Sequence, residues 1–279
     1  MDPVRALLAA GGAARWKDLV DSGVSRQRLA TAVAEGRIVR VHRGCYALTS
    51  ARESDKRATV FRAVPSCLTV LADAGLPVVP SDLRTHLVVP MSRSEARPGL
   101  RPMEDVVIHR TDRYGELSWA SVATALDLSS RCLEPRAQLA ALDAAVRQGL
   151  VPLRIARRFT ITPRAQRDWL DAHVDPRSES PGETFARVLL VEAGFKPVVQ
   201  RRYPAIGRVD LVVEGIVIEI DGATYHSDPQ AFLNDRHRDR THTINGRDFL
   251  RFTFAEVRDR PDEVLADVLA TVWRVRSEG

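Results

Sequence analysis

The sequence predicts a multidomain protein of mixed α+β and α/β class, and three observations predict it. The chain has 279 residues, which at roughly 100–200 residues per domain implies about two domains or three small ones. A polar, turn-rich run, Asp175-Pro176-Arg177-Ser178-Glu179-Ser180-Pro181-Gly182, is the best boundary. The element pattern also changes along the chain, from short helices with a basic hairpin to a helix followed by apolar strands. These features predict segments 1–53, 54–177 and 178–279. With 44% hydrophobic and 28% charged residues, there is enough apolar material for packed cores, and wholesale disorder is excluded. Cys45, Cys67 and Cys132 stand far apart without a CxxC pair, which argues against a disulfide framework and a cysteine-rich zinc site. No apolar run reaches the ~18–20 residues that span a bilayer, and Met1–Arg5 lacks a signal-peptide pattern. The expectation is a cytoplasmic protein with no membrane partner.

In the first segment, Asp2 and Pro3 start a helix over 3–10. Residues 15–21 read as a second helix. Ser25 caps a third, with Leu29, Ala32 and Val33 as its apolar stripe and Gly36 closing it. Arg37–Val41 and Cys45–Leu48 then read as strands around His42-Arg43-Gly44. Helix, helix, Gly-containing turn, helix and basic hairpin is the order of a winged helix-turn-helix. Charge agrees, because residues 1–53 hold nine Lys or Arg against five Asp or Glu. Arg26, Gln27 and Arg28 occupy the first turn of the third helix, where side chains reach base edges and phosphates. Arg40, His42 and Arg43 would form the wing. The expected partner is DNA, double-stranded, through Arg26, Gln27, Arg28, Arg40 and Arg43. The stretches Asp18-Leu19, Gly23-Val24-Ser25-Arg26, Leu29, Gly36–Val41 and Arg43–Leu48 resemble the N-terminal domain of AbiEi-type antitoxins. That resemblance implies operator binding and a toxin or defence partner protein.

The middle segment reads as mixed α/β. Thr85–Pro90 and Asp105–Arg110 are strands. Helices are expected from Ser118 to about Leu133, over Ala137–Gln148, over Arg154–Phe159 and over Arg164–His173. The sequence offers no metal spacing, nucleophile motif or phosphate loop here, so His86 and His109 read as hydrogen-bonded structural histidines. The segment is taken as a connector or interaction module.

The last segment reads αβββαβα: a helix from Ser180 to about Ala193, strands Pro197–Tyr203, Arg208–Val213 and Ile216–Asp221, a helix from Asp228 to about Asn245, strand Phe249–Phe254, and a helix over Pro261–Val275. A two-residue turn at Glu214-Gly215 pairs Val213 with Ile216, Val212 with Val217 and Leu211 with Ile218, so Asp210 falls opposite Glu219. Alternation adds Asp221 to that face. Opposed residues have Cβ atoms about 4.5–5.5 Å apart. Two half-buried carboxylates at that distance require a shared proton, a basic partner or a cation. Arg208 is the basic neighbour in sequence. A hard divalent cation, Mg²⁺ or Mn²⁺, is the chemical alternative.

The residues Glu179-Ser180, Glu183, Gln200, Val209-Asp210-Leu211, Ile218–Gly222, His226, Asp235-Arg236, Arg238, Gly246 and Leu250–Thr253 resemble the restriction-endonuclease-like PD-(D/E)XK superfamily, in the branch related to very-short-patch-repair endonucleases. The resemblance implies a Mg²⁺-dependent endonuclease acting on DNA in defence or repair. Asp210 and Glu219 would be the metal ligands and Glu183 the helix carboxylate facing the site. Asp221 stands where the superfamily has a lysine. That departure leaves His226 as the candidate to activate water, and Arg236 and Arg238 as candidate phosphate contacts. Glu183 also completes Ser180-Pro-Gly-Glu, a capping-box pattern that needs no catalysis. The alternative reading is an antitoxin-like transcriptional regulator, catalytically inactive, whose nuclease-like domain serves a homodimer or partner.

Overall fold

The computed structural model describes residues 1–82, 84–92, 105–116, 118, 120–204, 207–221 and 248–278. The chain divides into two compact units, Met1–Gly75 with Ser81–Ser129, and Leu76–Pro80 with Ser130–Gly279.

The first unit opens with α1 (Pro3–Ala9), β1 (Ala13–Arg15), α2 (Trp16–Asp21), α3 (Arg26–Ala34), β2 (Ile38–His42) and β3 (Cys45–Leu48). Asp2 caps α1 by accepting the Val4 and Arg5 N–H groups at 3.0 Å, and Pro3 fills the first position, where no N–H is needed. The expected helix over 15–21 is shorter by one residue. Ala13-Ala14-Arg15 instead pairs with Cys45-Tyr46-Ala47 as a third strand, giving the antiparallel order β1-β3-β2. Three small or polar residues carry no alternation to announce a strand. Ala6, Leu7, Leu19, Val24, Leu29, Ala32, Ile38 and Leu48 form the core beneath.

The unit continues with α4 (Glu53–Phe61), β4 (Val64–Pro65), α5 (Cys67–Asp73), β5 (Thr85–Pro90), β6 (Val106–Thr111) and α6 (Val122–Ser129). β5 lies between β4, antiparallel, and β6, parallel. The helix expected from Ser118 to Leu133 spans only Val122–Ser129.

The second unit contains α7 (Pro135–Arg147), a 3₁₀ turn at Ile155–Arg158 where a helix was expected, α8 (Arg164–His173) and α9 (Pro181–Glu192). A buried polar network joins α7 to α9. The Asp143 carboxylate accepts from Arg187 at 2.8 Å, Thr184 at 2.9 Å and the Asp175 N–H at 2.8 Å. Arg187 also donates to Ser178 Oγ and to the His173 carbonyl.

Strands β7 (Val198–Tyr203), β8 (Gly207–Val213), β9 (Ile216–Asp221) and β10 (Phe249–Thr253) form a sheet in the order β10-β9-β8-β7, followed by α10 (Phe254–Asp259) and α11 (Pro261–Glu278). The expected hairpin register is present: Leu211 pairs with Ile218, Val212 with Val217 and Val213 with Ile216. Glu214 and Gly215 have φ of 50° and 87°, and positive φ at both central residues is what a tight hairpin with right-handed strand twist requires. β10 runs parallel to β9. The short helix α10 was not foreseen. Thr253 and Glu256 start it with a reciprocal capping box. Helix α9 packs on β8 and β9, and a Cβ on Gly182 would stand 2.6 Å from Ile220 Cγ2. The helix expected over 228–245 lies outside the described residues. No described helix is long and apolar enough to cross a membrane.

Candidate functional site

The carboxylates of the C-terminal sheet interrupt strands that are otherwise buried. Along β8, Val209, Leu211, Val212 and Val213 are buried while Asp210 is half-buried. Along β9, residues 216–218 and Ile220 are buried, Glu219 is half-buried and Asp221 is exposed. A strand pattern that buries both faces has no packing use for acidic residues at these positions.

Asp210 is held from two sides. Its Oδ2 accepts the Ile220 N–H at 2.9 Å, so a side chain continues the ladder where the last Leu211–Ile218 pair ends. Its Oδ1 accepts from Gln200 Nε2 at 3.4 Å. The same amide nitrogen donates to Glu183 Oε2 at 2.8 Å. Gln200 has φ of 54°, a conformation costly for a residue with a Cβ and typical of positions the surroundings force. Glu183 is buried, and its Oε2 also accepts the Glu179 N–H at 2.8 Å. The capping-box expectation is half met. Ser180 Oγ accepts the Glu183 N–H at 3.2 Å, but the return bond reaches Glu179, one residue before the cap.

Glu219 and Asp210 interact directly. Burial, the Asp210 charge and a hydrogen bond to Asp210 push the Glu219 carboxyl up to about 7, against a smaller opposing effect of Arg251. Burial, reinforced by Asp210, also raises Glu183. Among the described residues, Arg251 is the cation beside this face, opposite Glu219 in the β9–β10 register and 3.8 Å from Asp221 Oδ1. Arg208, the basic neighbour expected from sequence, pairs instead with exposed Glu179 at 2.6 Å. Asp221 thus sits with Arg251 at the exposed end of β9. The structure brings together Glu183, Gln200, Asp210 and Glu219. His226, Asp235, Arg236 and Arg238 lie outside the described residues.

In the first unit, Arg26, Gln27 and Arg28 occupy the first turn of α3, exposed, behind the Ser25 cap that accepts the Arg28 N–H. Arg40 lies on β2 and Arg43 in the β2–β3 turn, both exposed, with a register irregularity between Arg40 and His42. None of these four arginines forms an ion pair with a described residue. Arg15 and Arg37, by contrast, are held by Asp18 and Glu35. Arg26 lies over the Trp16 ring, 5.9 Å from its centroid. One helix start and one hairpin thus present exposed arginines without an ion-pair partner among the described residues. Residues 2–49 match the family model of transcriptional regulators described as AbiEi antitoxin. That match covers the elements α1 to β3 and supports a DNA-binding regulatory role for the AbiEi-like segment. No curated protein matches the chain.

Sequence reasoning missed a second cluster. Cys67, noted only as far from the other cysteines, and His86 and His109, read as structural histidines, meet in the first unit with ligand atoms within 4.8 Å of one another. They come from a helix start and two strands, spaced 19 and 23 residues apart, and no local spacing signals such a group. Among the described residues, the carboxylates of the C-terminal sheet do not assemble three ligand atoms this closely.

Proposed function

We propose that this protein binds duplex DNA through its AbiEi-like winged helix and hydrolyses phosphodiester bonds at the Asp210–Glu219 pair of its C-terminal domain. The observation that carries the catalytic half is the electrostatic state of that pair. Two adjoining half-buried carboxylates, one lifted to about 7 by burial and by the other, are stabilised by a hard cation with oxygen ligands. The donor set fits Mg²⁺ or Mn²⁺, and Asp210 and Glu219 would hold it. When bound, such a cation supplies Lewis acidity toward a phosphoryl oxygen and lowers the pKa of water. The chain's own residues orient the ligands. The Ile220 N–H fixes one oxygen of Asp210, and Gln200, itself anchored by Glu183, fixes the other. Arg251 offers positive charge beside the pair, where a phosphate would approach. The likeness of the motifs to restriction-endonuclease-like enzymes supports the same reading.

A second reading follows from the matched segment. The chain would be an antitoxin-like regulator that binds an operator and uses the C-terminal domain, without catalysis, to engage a toxin or a second copy. One experiment separates the two. Purified protein is incubated with supercoiled plasmid, linear duplex, single-stranded DNA and RNA, with Mg²⁺, Mn²⁺ or EDTA, beside Asp210→Ala and Glu219→Ala. Metal-dependent cutting lost in both variants is the expected result. Intact DNA in every lane, with sharp operator binding retained, overturns the nuclease reading in favour of the regulator.

A further inference from the structure

We propose that the first unit carries a zinc site, with Cys67, His86 and His109 as its protein ligands. The site is remote in sequence from the acidic pair and independent of the nuclease reading.

The geometry begins with two parallel strands. β5 and β6 pair so that Val88 lies opposite His109, which sets His86 and His109 two positions apart on neighbouring strands. His86 Nδ1 lies 3.3 Å from His109 Nε2, with the ring planes tilted by 30°. Two nitrogens bound tetrahedrally at ~2.0–2.1 Å stand about 3.3–3.4 Å apart, so the observed separation is that of one tetrahedron edge. The other nitrogen of His86, Nε2, lies 3.2 Å from Asp82 Oδ2. A carboxylate on the far ring nitrogen fixes the tautomer that turns the Nδ1 lone pair inward, as in metal-bound histidines.

The thiol arrives by a third route. Ser66 donates its N–H to the His86 carbonyl at 3.0 Å, and Thr69 Oγ1 accepts the His86 N–H at 2.7 Å. These two bonds hold the start of α5 against His86, and Cys67 lies between them. Cys67 is fully buried with φ of 52°, a strained backbone for a residue with a Cβ, of the kind that clusters at ligand sites. His86 is fully buried as well and His109 nearly so. One thiolate and two imidazoles are a nitrogen and sulfur donor set that suits zinc. The competing account is a simple hydrogen bond between the two imidazoles.

The test uses the full chain. Protein purified under reducing conditions, and the same protein reconstituted with one equivalent of zinc, is passed over a desalting column with a weak chelator and analysed by atomic emission. One zinc per chain is expected. The cobalt-substituted protein is expected to give tetrahedral ligand-field bands and a thiolate charge-transfer band. That band should be lost in C67S and unchanged in C45S. D82N is expected to lower zinc affinity ~10–100-fold. Asp210→Ala should keep its zinc, so failure of the nuclease reading leaves this one standing. Wild-type protein that retains no zinc after reconstitution, or whose cobalt form lacks thiolate absorption, overturns the proposal without recourse to any variant.

Discussion

Replacing Asp143 by leucine is expected to cost about 4 kcal/mol, and the reasoning turns on which partner can shed its charge. Asp143 and Arg187 are almost fully buried, with side-chain exposures of 1% and 5%. Removing one member of such a pair leaves an uncompensated charge and costs roughly 3–5 kcal/mol. The two single losses are unequal. A guanidinium cannot deprotonate inside a protein, so Asp143→Leu strands a permanent charge beside Ser178 and the His173 carbonyl. In Arg187→Met the carboxyl remains, and burial already holds it at about 7. It therefore takes up a proton near neutral pH, and the loss should be nearer 2 kcal/mol, rising as pH climbs past 7. The double variant D143L/R187M removes both charges together. It should be more stable than D143L alone, giving a coupling of 2 kcal/mol or more. Hydrogen exchange of α7 and α9 amides measures the local opening free energy without assuming that both units unfold together. Additive single costs, or a D143L cost below about 1 kcal/mol, would refute the argument.

Three further outcomes are expected. Gly182→Ala places a methyl 2.6 Å from Ile220 Cγ2 and should destabilise the α9–β9 contact by roughly 1–3 kcal/mol, measured by urea denaturation; a neutral result would mean that the helix slides freely. Glu219 is raised in the folded chain, so its ionisation opposes folding. That penalty is absent below about pH 4.5 and complete above about pH 7. Glu219→Gln in EDTA should therefore stabilise the second unit at pH 8 and leave it unchanged at pH 4, and equal effects at both would contradict the assignment. Substituting both Arg26 and Arg28 by alanine should weaken duplex binding at every sequence and lower the magnitude of the log K against log salt slope by about 2. An unchanged slope in fluorescence anisotropy would remove α3 from the interface.

Much of the fold was legible where the side-chain code is local. Asp2-Pro3 and Ser180-Pro181 announce helix starts, and Glu214-Gly215 fixes a register that carries Asp210 toward Glu219. Ala13–Arg15 was not legible as a strand, because three residues take their conformation from β3 and not from their own pattern. The neutralising arginine was misplaced for a related reason. Arg208 adjoins Asp210 in sequence but points to Glu179, whereas Arg251 reaches the acidic face through a parallel strand pairing that no turn announces. Cys67, His86 and His109 are the extreme case, since their meeting depends on the β4-β5-β6 sheet and on how α5 is tied to it.

The double attachment of Gln200 makes the start of α9 and the acidic pair a single mechanical element. Glu183 gathers the first turn of the helix by accepting the Glu179 N–H, and with the same oxygen it pulls on the amide that steadies Asp210. Fraying of that turn is felt as a slackened aspartate. Anything that tightens or loosens the polar run at 175–182, whether a substitution or a bound partner, would therefore act as a tuning peg for a carboxylate it never touches.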